Sequence, residues 1–542
     1  MIEFKHKLPS MYADGKQNGT YNNCELGFPS ILTTTDAKLG LFIHTLRSNI
    51  YADRSLVFID GKILAVDKNW IRDHVHVMKA TRHWEYDLSS FLNFIIDTQR
   101  KDGQFYELIK QVDDVHWSYV NEDCYVMYPD DNLSLVRLEL EADIEYLVVE
   151  GAVYLYKTTG DDEWLKKVLP KLEKGIDYIT SDEKRWDKER GLVKRPFTID
   201  TWDFTYLPNA AHDRKISENT PMSIMHGDNS GVYQAMLQLA WLNRRLGNEE
   251  KAKAWEKRGS ELKERILKHL WNGKFFIHQL HLNHEGLDNL EAERLSLSNT
   301  YDMNRGLTDL EQSRAIIEEY MQRKEKTNCL AEWFTIDPPY EKFATYPKGQ
   351  YVNGALSPFT AGELAKAAFR NGYEEFGWNI IERFMELVER DGAIYFLYWP
   401  DLTPQPAGGP SAWGAAALVS AVDEGLAGIC DAGVNYDEIA FSPRFPVTHY
   451  KELRYLTGYE VSGAMVDVRY ILEENGMRYD LYSPAKKVAA HILMPKGKRC
   501  KTLLINGEST PFETETVGSS LYLNFATAAE KKVSFEILFE TA

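Results

Sequence analysis

Gly231-Val232-Tyr233-Gln234-Ala235-Met236-Leu237-Gln238-Leu239-Ala240-Trp241-Leu242-Asn243-Arg244-Arg245-Leu246-Gly247-Asn248-Glu249-Glu250 is the stretch from which the fold is read. Val232, Met236, Leu239, Leu242 and Leu246 recur every three or four residues, which puts them on one face of a helix. Gly247 then ends that helix and the acidic pair Glu249-Glu250 opens another. Glycine readily takes the left-handed conformation of a C-cap, and carboxylates favour the positive N-terminal end of a helix dipole. Ala252, Trp255, Leu262, Ile266 and Leu270 repeat the spacing beyond the turn. The stretch predicts two antiparallel helices, each burying one stripe against the other.

The same punctuation occurs twice more. Thr159-Gly160-Asp161-Asp162-Glu163-Trp164 lies between Ile144, Val148 and Leu155 on one side and Val168, Leu172, Ile176 and Ile179 on the other. Asn371-Gly372-Tyr373-Glu374-Glu375 separates residues 361–371 from 376–390. Repeated helix hairpins either run on as a solenoid or close on themselves. Unequal loops between them favour closure, so a mainly α fold is expected, a toroid of helix hairpins over residues 65–432. Past Asn435 the period changes: Val466, Val468 and Tyr470 alternate along Met465-Val466-Asp467-Val468-Arg469-Tyr470 and share one face, as in a strand. Asn475-Gly476 predicts a type I′ hairpin turn. Further strands are expected at 491–494, 502–505, 521–525 and 533–539, making residues 433–542 a small C-terminal all-β sandwich domain. Residues 1–64 read as an N-terminal arm, with β structure not excluded.

With 44% hydrophobic and 27% charged residues, the chain has an ordinary globular balance. Its 81 acidic against 63 basic residues give a formal net charge of -18, which repels nucleic-acid backbones and anionic membrane surfaces. No window approaches the roughly 18 apolar residues that span a bilayer, and no leader-like apolar run follows Met1. The expectation is a cytoplasmic protein with neither nucleic acid nor membrane as a partner. Cys24, Cys124, Cys329, Cys430 and Cys500 are far apart and form no CxxC, which predicts free thiols and gives no metal-site spacing. No organic cofactor or transition metal is expected; Asp130 and Asp131 are the loop carboxylates that would suit a structural Ca²⁺. Oligomeric state leaves no signature.

No Gly-rich phosphate loop, HExxH or GxSxG is present. The unusual composition lies in four long segments, 113–132, 194–225, 332–353 and 395–413, rich in Trp, Tyr, Pro and Asp. Loops of about 20 residues are uncommon in compact domains unless they carry function. Paired carboxylates in such loops suit glycosidic bond cleavage, one protonating the leaving oxygen while the other activates water or attacks. Flat amphipathic rings suit the faces of sugars. In Arg195-Pro196-Phe197-Thr198-Ile199-Asp200-Thr201-Trp202-Asp203-Phe204-Thr205-Tyr206, Asp203 lies between two large aromatics, surroundings that raise a carboxyl pKa as a general acid at neutral pH requires.

At Trp202-Asp203 the chain resembles helical-barrel glycosidases of the trehalase, processing α-glucosidase and α-L-rhamnosidase kind. His226-Gly227-Asp228-Asn229-Ser230-Gly231-Val232-Tyr233, Tyr351-Val352-Asn353-Gly354-Ala355, Gly409-Pro410-Ser411-Ala412-Trp413-Gly414 and Ile439-Ala440-Phe441-Ser442-Pro443-Arg444-Phe445-Pro446 are similar, in order, to their later segments. The resemblance implies a glycoside hydrolase acting on an oligosaccharide or small glycoside, α-linked and glucoside- or rhamnoside-like, with inversion and with Asp203 as general acid. Arg72-Asp73 resembles the pair that grips sugar hydroxyls in related barrels, with an ordinary salt bridge at a helix start as the alternative; Asp228, Gln350 and Asn353 are further candidate sugar contacts, and His226 either contacts sugar or, as the favoured reading, caps a buried polar group. These families place the base as Glu before the final helix, whereas Tyr395-Phe396-Leu397-Tyr398-Trp399-Pro400-Asp401 holds only Asp401. Asp401 is the first choice for the base and Glu332 the second, with a merely solvated loop acid as the plain alternative. Trp202, Trp333, Tyr398, Trp399 and Trp413 are candidate stacking surfaces, or else core packing. Two other readings stay open: a sugar epimerase or isomerase, for which only His116 and His226 of 14 histidines lie in the aromatic loops, and a non-catalytic carbohydrate-binding relative.

Overall fold

The computed structural model describes residues 32–112, 124–199, 215–406 and 408–540. Among these, α-helices alternate along the chain between two roles. α1 (Ala37–Asp53), α3 (Ser90–Asp97), α5 (Asp162–Ile179), α7 (Glu249–Leu270), α9 (Leu310–Lys326) and α11 (Glu374–Asp391) each pack outside a partner. α2 (Ile71–Thr81), α4 (Ile144–Thr159), α6 (His226–Arg245), α8 (Ser298–Asn304), α10 (Pro358–Arg370) and α12 (Ala412–Ser420) contact one another in sequence, and α12 returns to α2. The three hairpins read from the sequence are α4–α5, α6–α7 and α10–α11, each with its glycine at positive φ in the turn. Val232, Met236, Leu239 and Leu242 of α6 are buried, as are Ala252, Trp255, Leu262, Ile266 and Leu270 of α7. Each such aliphatic side chain contributes about 1.5–3 kcal/mol on leaving water.

The helical body begins earlier than residue 65. Leu39, Phe42, Ile43, Leu46 and Ile50 of α1 are buried, and α1 packs on α11 and α12. The segment read as an N-terminal arm therefore supplies an outer helix, with Asp36 capping it through a bond from the Leu39 N–H (2.7 Å). Between α1 and α2 the chain makes a two-stranded hairpin, Arg54–Ile59 with Lys62–Asp67.

Two sheets make up the C-terminal region. One has seven strands, in the order Thr33–Thr34, Glu452–Tyr459, Ala464–Glu473, Gly476–Tyr482, Val533–Phe539, Cys500–Ile505, Glu508–Thr510. The other has five, in the order Ile429–Asp431, Glu438–Phe441, Lys487–Leu493, Ser520–Thr527, Glu513–Val517. Phe441 and Phe525 of the second meet Tyr479 and Phe535 of the first. The hairpin at Asn475-Gly476 is present, but its loop residues are Glu474-Asn475; Gly476 pairs with Glu473 and neither Asn475 nor Gly476 has positive φ. Glycine is needed at 476 for another reason: a Cβ there would lie 2.8 Å from the Ile537 carbonyl oxygen of the adjacent strand. The type I′ geometry occurs instead at Asn506-Gly507, both at positive φ.

This region sits at the C-terminal ends of the inner helices. Lys157 near the end of α4 bonds to the Asp431 carbonyl, and His83, just past α2, contacts Gly458. After α12 the chain continues as a π-helical turn, Ala421–Leu426, that brings Asp423 against Tyr455.

Two measurements probe this packing. α10 and α12 approach so closely that a Cβ on Gly362 would lie 2.4 Å from the Ala417 carbonyl carbon. Gly362→Ala should therefore cost about 1–3 kcal/mol of stability, read as a lower urea midpoint; an unchanged midpoint would refute the close approach. Asp423 is buried, and burial raises its carboxyl from 3.8 to about 7 against the opposing pull of Arg82. The folded state thus keeps a proton that the unfolded chain releases, so this group's contribution falls as pH rises from about 4 to 7 and is flat above. Asp423→Asn should gain melting temperature relative to the parent across that window, and a constant difference from pH 4 to 8 would contradict it.

Candidate active site

The inner helices point their N-terminal ends at one cavity. Asp143 and Tyr146 reach it from the start of α4, Gly227 and Asp228 from the start of α6, and Ser298 and Tyr301 from α8. His76 of α2, Trp413 of α12, Arg195 and Arg305 complete it. Unsatisfied N–H groups at a helix start, with the positive end of its dipole, favour carboxylates and other oxygen-rich groups there.

Charge at the cavity is organised by arginine. Arg72 donates to both oxygens of Asp143 and to Glu141. Arg195 reaches Glu141 at 3.4 Å and Asp228 at 3.6 Å. Behind them Arg137 pairs with Glu107 and Glu145. Burial alone would raise Asp143, but Arg72, with Arg195 and Arg137 beyond it, holds its carboxyl below the usual range. Glu107 goes the other way, raised well above that range by burial and by Glu141. Arg305 donates to the Gly227 carbonyl (2.8 Å) and the Ser230 hydroxyl (2.9 Å), tying α8 to α6, and its guanidinium lies over the rings of Tyr146 and Tyr301.

Of the residues named from the sequence, Asp228 and Trp413 line the cavity and Arg72 braces it from behind. Trp413 offers no open face: His76 stacks on one side (4.2 Å, 10° between planes) and Phe359 stacks on it as well (5.0 Å, 27°), while its indole N–H donates to the Tyr301 hydroxyl. Asp73 is half-buried in the first turn of α2 and does not line the cavity.

His226 is fully buried, with Nδ1 2.6 Å from Asp302 and Nε2 2.8 Å from Ser296, so both nitrogens are spent within the protein. Asn353 is spent on the backbones of Tyr340 and Tyr346, and Gln350 sits in the same loop with its N–H on Pro347.

Neither carboxylate chosen for the base is at the cavity. Asp401 is exposed and accepts the Thr403 N–H (3.0 Å) and hydroxyl (2.6 Å), bonds that lower its pKa in a local turn. Glu332 pairs with Arg383 of outer helix α11 at 3.0 Å. Trp333 is wholly buried against Phe384 and Arg383, and Tyr398 is wholly buried with its hydroxyl accepting the Tyr395 N–H. Trp399 is half-buried in the Asp401 turn. Asp203, Trp202 and His116 lie outside the described residues, and so does Cys24; the four described cysteines form no disulfide with one another. Among the described residues no group of His, Cys, Asp and Glu is arranged to hold a metal ion, and no helix is long and apolar enough to cross a membrane.

His76, Asp143, Tyr146, Arg195, Tyr301 and Arg305 were not singled out in the sequence. The signal available for the first was the run Arg72, His76 and Lys79 on α2, continued by His83 just past it, polar residues at helical spacing. Every one of them is buried, so the stripe faces into the ring of inner helices and not outward.

By class the chain is a glycoside hydrolase domain: residues 70–409 match the model of the mannosylglycerate hydrolase MGH1-like glycoside hydrolase domain. The chain belongs to that family. No curated protein matches it. Among solved structures it is similar to the α-L-rhamnosidase of Dictyoglumus thermophilum, with TM-score 0.59, 13% identity, and coverage of 94% of this chain and 50% of that one. It is also similar to the α-L-rhamnosidase of Streptomyces avermitilis complexed with L-rhamnose (TM-score 0.57, 13% identity, 94% and 42%). A third is the rhamnosidase of Bacillus sp. GL1 (TM-score 0.57, 14% identity, 86% and 43%). The chain thus spans half or less of the length of each.

Arg72 supplies the test of the charge arrangement. Arg72→Met keeps the length of the stem but leaves Glu141 and Asp143 buried without their shared cation, a change that typically costs about 3–5 kcal/mol. The melting temperature should fall sharply at pH 7 and recover in part towards pH 4, where the carboxyls take up protons. A loss equal at both pH values would argue that packing, not charge, is what Arg72 provides.

Proposed function

We propose that this protein hydrolyses an α-linked glycoside, glucoside- or rhamnoside-like, at the cavity where the inner helices begin. On this reading the helix pairs make an (α/α)6 toroid carrying a C-terminal β-sandwich, and the enzyme acts in the cytoplasm on an oligosaccharide or small glycoside. The observation that carries it is Asp228. This carboxylate opens on the cavity at the first turn of α6 and lies near Arg195, whose segment leads through Ile199 to the stretch containing Asp203. Asp203 is assigned as the general acid, on the resemblance of Trp202-Asp203 to the acid loop of the helical-barrel glycosidases. Asp228 replaces Asp401 and Glu332 as the partner, because those two are committed elsewhere in the fold. Arg195 favours its charged form, which can take a proton from the water that attacks the anomeric carbon as Asp203 gives one to the leaving oxygen.

The reading that competes is proton transfer at carbon, as in an epimerase, since His76 lines the cavity. Burial, with Lys79, Arg305 and Arg72 nearby, holds that imidazole well below its ordinary range, which makes it a poor base. Hydrolysis is favoured.

Asp203→Asn should lower turnover of glycosides with poor leaving groups by about 10²- to 10⁴-fold and spare an activated aryl glycoside, which needs little protonation. Asp228→Asn should impair both, because water must still be activated. NMR of the first-formed product should show inversion, which needs carboxyl groups about 6.5–9.5 Å apart with a water between. Full activity of Asp203→Asn on the poor leaving group, or a retained anomer, would overturn the assignment.

A further inference from the structure

The cavity contains one polar group that the protein itself leaves unused. His76 is 4% exposed, and neither ring nitrogen has a hydrogen-bond partner among the described residues. Nδ1 is sealed from solvent, whereas Nε2 is not, and the residue lines the cavity. Leaving a buried polar group unmade is costly, about 1–3 kcal/mol, so an imidazole kept this way points to a partner that arrives from outside.

The ring is also held in place with unusual firmness. Phe359 of α10, Trp413 of α12 and His76 of α2 form one stacked column across three inner helices, and Tyr301 meets His76 edge-on at 5.6 Å. The Trp413 N–H is fixed on the Tyr301 hydroxyl at 3.1 Å. Apolar closure of this wall continues through Leu397 and Ala417, which pack in the same cluster.

We propose that His76 is a substrate-contacting residue whose Nε2–H donates a hydrogen bond to an oxygen of the bound sugar, with the Phe359–Trp413–His76 column fixing its direction. An orphaned buried N–H is rarer than an orphaned acceptor, which places the proton on Nε2 and leaves Nδ1 as the sealed lone pair. Burial and the cations Lys79, Arg305 and Arg72 keep the ring neutral, so it reads a hydroxyl without taking part in proton transfer. The inference rests on the glycosidase reading and adds to it a specificity residue on the aromatic wall of the cavity.

The test compares the parent with His76→Phe, which keeps the stacked ring, and with His76→Gln, which keeps a donor. The probes are p-nitrophenyl glycosides of the sugar the parent hydrolyses fastest, together with its mono-deoxy forms. His76→Phe should raise KM by about 3- to 10-fold, the worth of one neutral hydrogen bond, and the defect should vanish on the one deoxy glycoside that lacks the contacted oxygen. His76→Gln should recover part of it and carries the comparison if His76→Phe does not fold. An unchanged KM on every glycoside, or a defect equal on all deoxy forms, would overturn the proposal while leaving hydrolysis standing.

If the parent cleaves no glycoside, the hydrolase reading fails and thermal shift with L-rhamnose, D-glucose and D-mannose decides. Stabilisation of the parent that is lost in His76→Phe supports the contact. Equal stabilisation, or none in either, overturns it.

Discussion

Arginine cannot shed its proton inside a protein, so a buried one must be met by acceptors, and at the cavity those acceptors are carboxylates. Arg72, on the inner helix α2, obliges Glu141 and Asp143 to converge just before α4. Arg195 then joins Glu141 to Asp228 at the start of α6, and Arg137 draws Glu107 and Glu145 in from behind. The guanidinium fork accepts only a narrow set of carboxylate directions. Three helix starts and the segment running into the 200–214 stretch are thereby fixed relative to one another by charge, before any packing preference is counted. Glu107 shows the cost of gathering so many acids: burial and the neighbouring Glu141 push its carboxyl well above the ordinary range, against the pull of Arg137.

That arrangement divides the helix ring into two ends with different work. At the N-terminal ends of the inner helices the exposed N–H groups and dipoles favour oxygen-rich groups, and the cavity lies there. At the C-terminal ends Lys157 meets the Asp431 carbonyl of the β region, and Arg82 and Lys366 meet Glu424 in the turn after α12. Cations meeting carbonyls and carboxylates at helix C-termini complement the opposite sign of the dipole. The sheet region therefore lies at the end of the inner helices away from the cavity.

Hydrophobic spacing made the hairpins readable, because an outer helix has one buried stripe and one wet face. The pairing of α6 with α7 followed from period together with the glycine-acid turn, and strands were expected within Lys487–Leu493, Cys500–Ile505, Ser520–Thr527 and Val533–Phe539 but not at Glu508–Thr510 or Glu513–Val517. α1 was missed although Leu39, Phe42, Ile43, Leu46 and Ile50 carry the same spacing, since no glycine-acid turn announces it. Site residues were harder to read for a physical reason. An inner helix is buried all round, so His76, Tyr146 and Tyr301 look like ordinary helix positions, and only three-dimensional closure makes their shared face a cavity. Loop composition misled in the same measure: Trp333, Tyr398 and Asn353 are large or polar because the loops must pack and bond themselves, and they do so with little left over.

The missing glutamate before the last helix takes on a different meaning in this light. The segment from Tyr395 to Asp401 places Leu397 in an apolar cluster with Trp413, Tyr301 and Phe359, so the α10–α12 side of the cavity presents aromatic and aliphatic groups and the neutral ring of His76. Acids stand on the α4–α6 side, at Asp143 and Asp228. Asp143 is committed on both oxygens to Arg72, whereas Asp228 meets Arg195 at the longer distance of 3.6 Å. The cavity thus has an acidic α4–α6 side and an aromatic α10–α12 side, and these are the two kinds of surface that suit the hydroxyls and the apolar faces of a sugar.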